Sequence, residues 1–265
     1  MTNLFHAELT YYLRGIGFQI HNALRGGHDE IDYENALAYA LESDGVPFLR
    51  QPVYRIDYRD QQVGEYRPDL VLAEGKVIAE LKAVDRIEPV HKAQGISYLA
   101  VTKAELALLM NFGNVSMQYE RLPNFLHKQQ RQSKTLSAPV NGLYPELTKT
   151  ILDALFIVHR TPGPGFLHQV YRRATLIELA QLGLNFSYLK ELPLRYRGQI
   201  IAQKEMRLFY IEQKVILATI AVAQLSPGVT EKLRWAMGET DVQLGIVANF
   251  YPTQLAFHFM RQEKA

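Results

Sequence analysis

Shifted along itself by 138 positions without a gap, this 265-residue chain comes into register with its own second half, and no other feature constrains its fold as much. Glu8-Leu9-Thr10 falls on Glu146-Leu147-Thr148, Tyr33 on Tyr171, Lys76-Val77-Ile78 on Lys214-Val215-Ile216 and Asn111-Phe112 on Asn249-Phe250. The period is far above the roughly 20–50 residues of solenoid repeats, so the chain reads as one domain duplicated. Each copy, of roughly 125 residues, is long enough to bury its own core. The expected organisation is a first domain over 1–123, a linker over 124–142 and a second domain over 143–265. The linker is polar and without hydrophobic periodicity, and its Lys128, Arg131 and Lys134 suit a solvated connector better than a contact.

Composition narrows the chemistry. The hydrophobic fraction of 48% is that of a folded globular chain. The absence of cysteine excludes disulfides, thiolate zinc sites and a cysteine nucleophile, and fits a cytoplasmic protein. The N-terminus lacks the basic segment and apolar run of a signal peptide. The longest apolar stretch, 215–223, is too short to span a bilayer, so no membrane association is expected. Charge is divided unevenly: residues 1–125 carry 12 Lys+Arg against 17 Asp+Glu, and residues 126–265 carry 17 against 10. An acidic half beside a basic half suits a metal site next to a phosphate-holding surface. Drift between copies explains the same numbers.

Periodicity gives each half the same plan. Leu9, Tyr12, Leu13, Ile16 and Ile20 make one apolar helical face over 8–24. A glycine break follows, then a second helix over 29–43 that stops before Gly45. Strands are expected over 49–58, 66–73 and 76–84, a helix from Pro89 to about Thr102, and a closing strand over 106–112. The fold class is therefore α/β, each copy ordered α-α-β-β-β-α-β with a central mixed sheet flanked by helices.

The mismatches between copies carry the chemistry. Glu30, Asp69, Glu80 and Lys82 are replaced by His168, Arg207, Ala218 and Ile220. On the strand around Glu80, alternation turns Glu80 and Lys82 to one face. Burying both in so apolar a run is costly unless each is paired or bound to a metal. A hairpin through Gly75 sets Asp69 opposite Glu80, and two converging carboxylates form an oxygen site suited to Mg2+ or Mn2+. Such an ion can activate a water and polarise a phosphoryl oxygen, with a lysine beside it to offset developing charge. The alternative is a buried ion cluster kept for packing specificity. The second copy argues against it, because its strand keeps the apolar residues and drops both charges.

This combination resembles the PD-(D/E)xK nuclease superfamily, the restriction-endonuclease-like fold, and within it the family named for its GxxExxY motif. That motif stands intact from Gly27 through Glu30 to Tyr33. It is followed by Arg67-Pro68-Asp69, Glu80-Leu81-Lys82, Gln94 with Tyr98, and Asn111-Phe112-Gly113. The resemblance covers most of 5–120 and recurs in outline over 143–260, where the motif has lost its glutamate. It implies that Asp69, Glu80, the Leu81 carbonyl and Glu30 hold the metal, that Lys82 is the catalytic lysine and that Gln94 lies near the site. A surface carboxylate is the plainer reading of Glu30. Tyr33, retained in both copies, suits packing. Arg67 and Tyr98, with Arg172, Arg173 and Arg207 in the second copy, are candidates for touching nucleic acid, DNA ahead of RNA; pairing with Glu65 or Asp69 suits Arg67 equally, and plain surface charge is the other account of the second copy's arginines. Arg207 stands at the aligned place of Asp69, a cation where a metal ligand would be. The implied function is a Mg2+-dependent nuclease with one active centre, its degenerate copy serving as an internal pseudodimer partner and the whole chain open to forming a homodimer. A non-catalytic nucleic-acid-binding or assembly module of the same fold is the alternative.

Overall fold

The computed structural model describes residues 6–125, 142–251 and 254–262. The chain forms two compact units, Met1–Gln129 with Gly165–Leu167, and Gln130–Pro164 with His168–Ala265. Of the expected linker, residues 126–141 lie outside the described residues, while Asn124 still donates to the Ala104 carbonyl (2.7 Å) of the first unit. Among the described residues no helix is long and apolar enough to cross a membrane.

The first unit begins with two helices, α1 (Ala7–Leu24) and α2 (Glu30–Ser43). Five strands follow: β1 (Phe48–Arg50), β2 (Tyr54–Tyr58), β3 (Gln61–Tyr66), β4 (Leu70–Leu72) and β5 (Val77–Lys82). The helix α3 (Pro89–Thr102) then leads to β6 (Leu106–Asn111) and β7 (Gln118–Pro123). The main sheet runs β1-β4-β5-β6-β7, and β2–β3 form a separate two-stranded sheet. Only β5 and β6 are parallel, as a crossover through α3 requires. One face of the sheet buries Leu70, Leu72, Val77, Ala79 and Leu81 against Leu13, Ile16 and Ile20 of α1 and Tyr33, Leu37 and Leu41 of α2. The other face meets α3 at Gly95, where an added Cβ would lie 2.9 Å from Leu122 Cδ1 and 3.8 Å from the Ala107 Cβ.

The second unit repeats this order as α4 (Pro145–Arg160), α5 (His168–Gln181), β8 (Phe186–Tyr196), β9 (Gln199–Ile211), β10 (Val215–Ile220), α6 (Pro227–Glu239), β11 (Leu244–Asn249) and β12 (Ala256–Arg261). Its sheet order is β12-β11-β10-β9-β8, again with one parallel pair, β10–β11. The mixed-sheet α/β class and the duplicated plan hold in both copies. Buried tyrosines seat each second helix alike: Tyr33 donates to the Arg25 carbonyl (2.6 Å) and stacks on Phe112 (4.6 Å), while Tyr171 donates to the Gly163 carbonyl (2.8 Å) and stacks on Phe250 (4.4 Å).

Three details depart from the expected elements. The strands expected over 49–58 and 66–73 are interrupted in the first unit, at 51–53 and 67–69. Pro52 and Pro68 stand at those breaks and have no N–H to give the ladder. In the second unit Lys190 and Met206 occupy these positions, and β8 and β9 run on unbroken. The strands β7 and β12 close the sheets beyond the expected last strand; β7 is a polar edge strand with little apolar alternation to betray it. The third departure is register. Leu70 pairs with Ala79 in the first unit, whereas Phe209, not Leu208, pairs with Leu217 in the second. The slip of one residue is taken up by a shorter turn, over 212–214 against 73–76, and by a left-handed Arg207 (φ 58°) beside a bulge in the β8–β9 ladder.

Candidate functional site

The break at Pro68 frees Asp69 from the ladder at the place where β4 begins. Its carbonyl accepts from the Gln51 N–H (2.9 Å), and its Oδ2 accepts from the Leu81 N–H (2.7 Å). Carrying the β4–β5 register one step on places Asp69 opposite Glu80, as expected of a hairpin through Gly75, and the Asp69 N–H lies 3.4 Å from Glu80 Oε2. Glu80 is 1% exposed and Lys82 is 7% exposed. The Lys82 ammonium donates to Glu80 Oε1 (2.7 Å) and to the Leu81 carbonyl (2.8 Å), and lies 3.7 Å from Glu30 Oε2. Glu30 opens α2 at the margin of the site, half its side chain in solvent, with Oε1 3.4 Å from the Ala83 N–H. From α3, Gln94 Nε2 donates to the Tyr98 hydroxyl (2.7 Å), which in turn donates to the Arg67 carbonyl (3.2 Å).

The electrostatics are those of carboxylates crowded out of water. Burial pushes Asp69 up to about 6, against the pull of the Leu81 N–H and of Lys82. Burial, and then the Asp69 charge, push Glu80 up to about 8. Burial works against the Lys82 ammonium too, but Glu80, Glu30 and Asp69 outweigh it and hold Lys82 above the ordinary lysine range. The Tyr98 hydroxyl is raised by burial and by the Glu80 charge. Burial and mutual repulsion thus make it costly to ionise both carboxylates, and added positive charge would favour their ionised forms.

Among the described residues no three His, Asp or Glu side chains gather closely enough to hold a metal by themselves. The oxygens on offer are the Asp69 and Glu80 carboxylates, the Leu81 carbonyl and, across Lys82, Glu30. This donor set suits a hard divalent cation, since it is all oxygen, partly dehydrated and anionic. The Lys82 ammonium already lies against two of these oxygens and close to a third, so a cation fits the chemistry there.

The structure thus brings together Glu30, Asp69, Glu80, Leu81, Lys82 and Tyr98, with Gln94 one hydrogen bond further out. Arg67 turns away: its guanidinium pairs with Glu65 (2.8 Å) in solvent. Tyr98 is almost wholly buried and braces the backbone beside Asp69. One residue was missed. Glu34, a helical turn after Glu30, is 3% exposed, accepts from Arg50 Nε (2.5 Å) and from Gln51 Nε2 (2.9 Å), and its charge is felt at Asp69. The signal was available, because the 138-residue shift sets Arg172 against Glu34. The reading of Arg207 as a cation standing in the place of Asp69 needs correction. They align in sequence, but with the register slipped it is Leu208 that comes opposite Ala218, the counterpart of Glu80.

The family model of the PD-(D/E)XK nuclease superfamily matches residues 7–122 and again residues 145–261. No curated protein and no solved structure matches the chain significantly. Two matches, one per unit, cover most of the sequence, and the chain belongs to the PD-(D/E)XK nuclease superfamily as a tandem pair of its domains.

Proposed function

We propose that the first unit is a Mg2+-dependent phosphodiesterase of the GxxExxY type acting on nucleic acid, and that the second unit is its inactive partner. The observation that carries this reading is the Lys82 ammonium held among the oxygens of Glu80, Leu81 and Glu30, where the second unit has only Ala218, Thr219 and Ile220 on the same strand. Asp69, Glu80, the Leu81 carbonyl and Glu30 would hold the divalent cation. When bound, such a cation supplies Lewis acidity and a water of lowered pKa. Lys82, turned from the Leu81 carbonyl toward substrate, would hydrogen-bond the attacking water or a non-bridging phosphoryl oxygen as negative charge grows there. Gln94 fixes the Tyr98 hydroxyl, which ties the Arg67 carbonyl and so holds the chain two residues before Asp69. With one centre per chain, the expected product is a single-strand break unless two chains associate.

The test is incubation of the full chain with single-stranded, duplex and branched DNA and with RNA, in Mg2+ or Mn2+. Cleavage is expected and should fall by about 100-fold or more in Lys82→Ala and Asp69→Asn. Wild-type cleavage that persists in Lys82→Ala removes this site from the explanation. A second reading, a binding module without catalysis, draws support from how fully Lys82 already satisfies Glu80 and Leu81. The two part in a calorimetric Mn2+ titration: binding lost in Asp69→Asn and Glu80→Gln supports the enzyme, whereas salt-sensitive nucleic-acid binding indifferent to metal and to both changes supports the module.

A further inference from the structure

The second unit has a cavity of about 410 Å3 between α5 and the β8–β9 hairpin. Its lining includes four cationic side chains, Arg172, Arg173, Lys190 and Arg207, against two carboxylates, Glu191 and Glu205. Helix positions that are acidic in the first unit are no longer so here: Glu30 is matched by His168, and Glu34 by the cationic Arg172. The partners changed as well. Glu34 is neutralised by Arg50 across to β1, but Arg172 Nη1 meets the Tyr188 hydroxyl (3.3 Å) at the position matching Arg50. Arg172 Nε is buried and makes no hydrogen bond among the described residues. A buried guanidinium N–H without an acceptor is costly, and the guanidinium that carries it lines the cavity, where an anion would meet its charge. The register slip contributes the second cation, since the left-handed bulge at Arg207 brings this residue to the same cavity as Arg172. Burial, with the charges of Arg172 and Arg207, lowers the His168 pKa. Arg207 is paired with Glu205, whose side chain is largely in solvent and free to yield to a stronger anion.

We infer that this cavity is a phosphate-binding site for a nucleic-acid strand, with Arg172 and Arg207 as its principal donors and Tyr188 positioning Arg172. The inference rests on the nucleic-acid reading of the first unit but not on its chemistry. It turns the degenerate copy into a second, metal-independent point of attachment for the strand.

The experiment uses the full chain in a Lys82→Ala background with EDTA, so that neither metal nor cleavage intervenes. A fluorescein-labelled single-stranded 20-mer is titrated by anisotropy over a salt series. Arg172→Met and Arg207→Gln should each weaken binding about tenfold and reduce the log–log salt slope by about 0.7 for each phosphate no longer neutralised. Lys232→Gln, on α6, should leave both unchanged. If Arg172→Met does not fold, Arg207→Gln and Lys190→Gln, both at exposed positions, carry the test. Unchanged affinity and slope in the folded variants overturn the inference. So does a result in which inorganic phosphate or a mononucleotide binds in an Arg172-dependent way while the oligonucleotide does not, since the ligand is then a free small phosphate. If wild type shows Lys82-dependent cleavage while the arginine variants bind normally, this inference alone falls. If the arginine variants lose binding while no metal elicits cleavage, the nuclease reading alone falls.

Discussion

In the first unit Pro52 and Pro68 interrupt the sheet beside Asp69; in the second, Lys190 and Met206 let the same strands run unbroken to Tyr196 and Ile211. The two halves otherwise share every element, at a constant offset. The two units therefore differ by more than four side chains. Without the prolines the hairpin joins the main sheet, the register slips by one, and Leu208 is set where the first unit has its acidic partner for Glu80. Leu208 and Ala218 now belong to one apolar cluster with Met206 and Ile216. Apolar side chains fill the place where the first unit keeps charge.

This difference can be broken most severely by returning the charges alone. Ala218→Glu with Ile220→Lys puts an ion pair into that cluster without an aspartate opposite it. The expected result is a loss of stability of the second unit on the order of 3–5 kcal/mol, read as a lowered calorimetric transition, with no gain of Mn2+ binding. Full stability together with a new metal site would show that the slipped register is no obstacle.

The converse change gives the first unit the residue of the second. Pro68→Met restores an N–H to the ladder and should draw Asp69 into a continuous β3–β4 strand. A misplacement of about 1 Å at such a group is worth about 100-fold in rate. Cleavage is expected to fall by that order while the thermal midpoint changes little. Equal cleavage by Pro68→Met would mean that the strand break does not position Asp69.

The pH dependence of the metal-free protein separates the halves more gently. Asp69 and Glu80 hold their protons more tightly folded than unfolded, so their contribution to stability is complete below about pH 4. It is lost as pH rises through about 6 and about 8. The first unit's melting transition should therefore fall by several degrees between about pH 4.5 and pH 8, less so with Mg2+ present. Glu80→Gln should flatten that slope, and the second unit's transition should lack it. A first-unit transition independent of pH across this window would remove the charge crowding that makes the site attractive to a metal.

Much of this was legible before the fold was known, and the exceptions have physical causes. Glu80 and Lys82 stood out because a buried strand has no other use for two charges, and the duplicate strand from Val215 to Ile220 does without them. The two helices of each copy were legible from their apolar spacing. The strand β7 was not, since Gln118, Glu120 and Arg121 on an edge carry no burial signal. Register was not legible either, because alignment counts residues and pairing depends on turns and bulges; Arg207 shows the cost of reading one from the other. Glu34 carries no motif of its own: it lies one helical turn beyond the glutamate of the motif, and apart from its mismatch with Arg172 only its burial and its charge at Asp69, both properties of the fold, mark it out.

The smallest expected effect concerns the cores, where the copies have exchanged volume without changing shape. In the first unit Gly95 of α3 faces Ala107 of β6; in the second, Leu233 of α6 faces Gly245 of β11, where an added Cβ would lie 3.0 Å from Leu233 Cδ2. Large and small have changed places across one helix–sheet contact. Gly95→Leu alone overpacks against Leu122 and Leu109 and should cost about 1–3 kcal/mol. Adding Ala107→Gly reproduces the arrangement of the second unit and should recover part of that loss, with a coupling of about 0.5–1 kcal/mol in a double-mutant cycle read from the first unit's melting transition. Strict additivity would mean that the two helix–sheet contacts are not equivalent, and that the units match in topology while their layers pack differently.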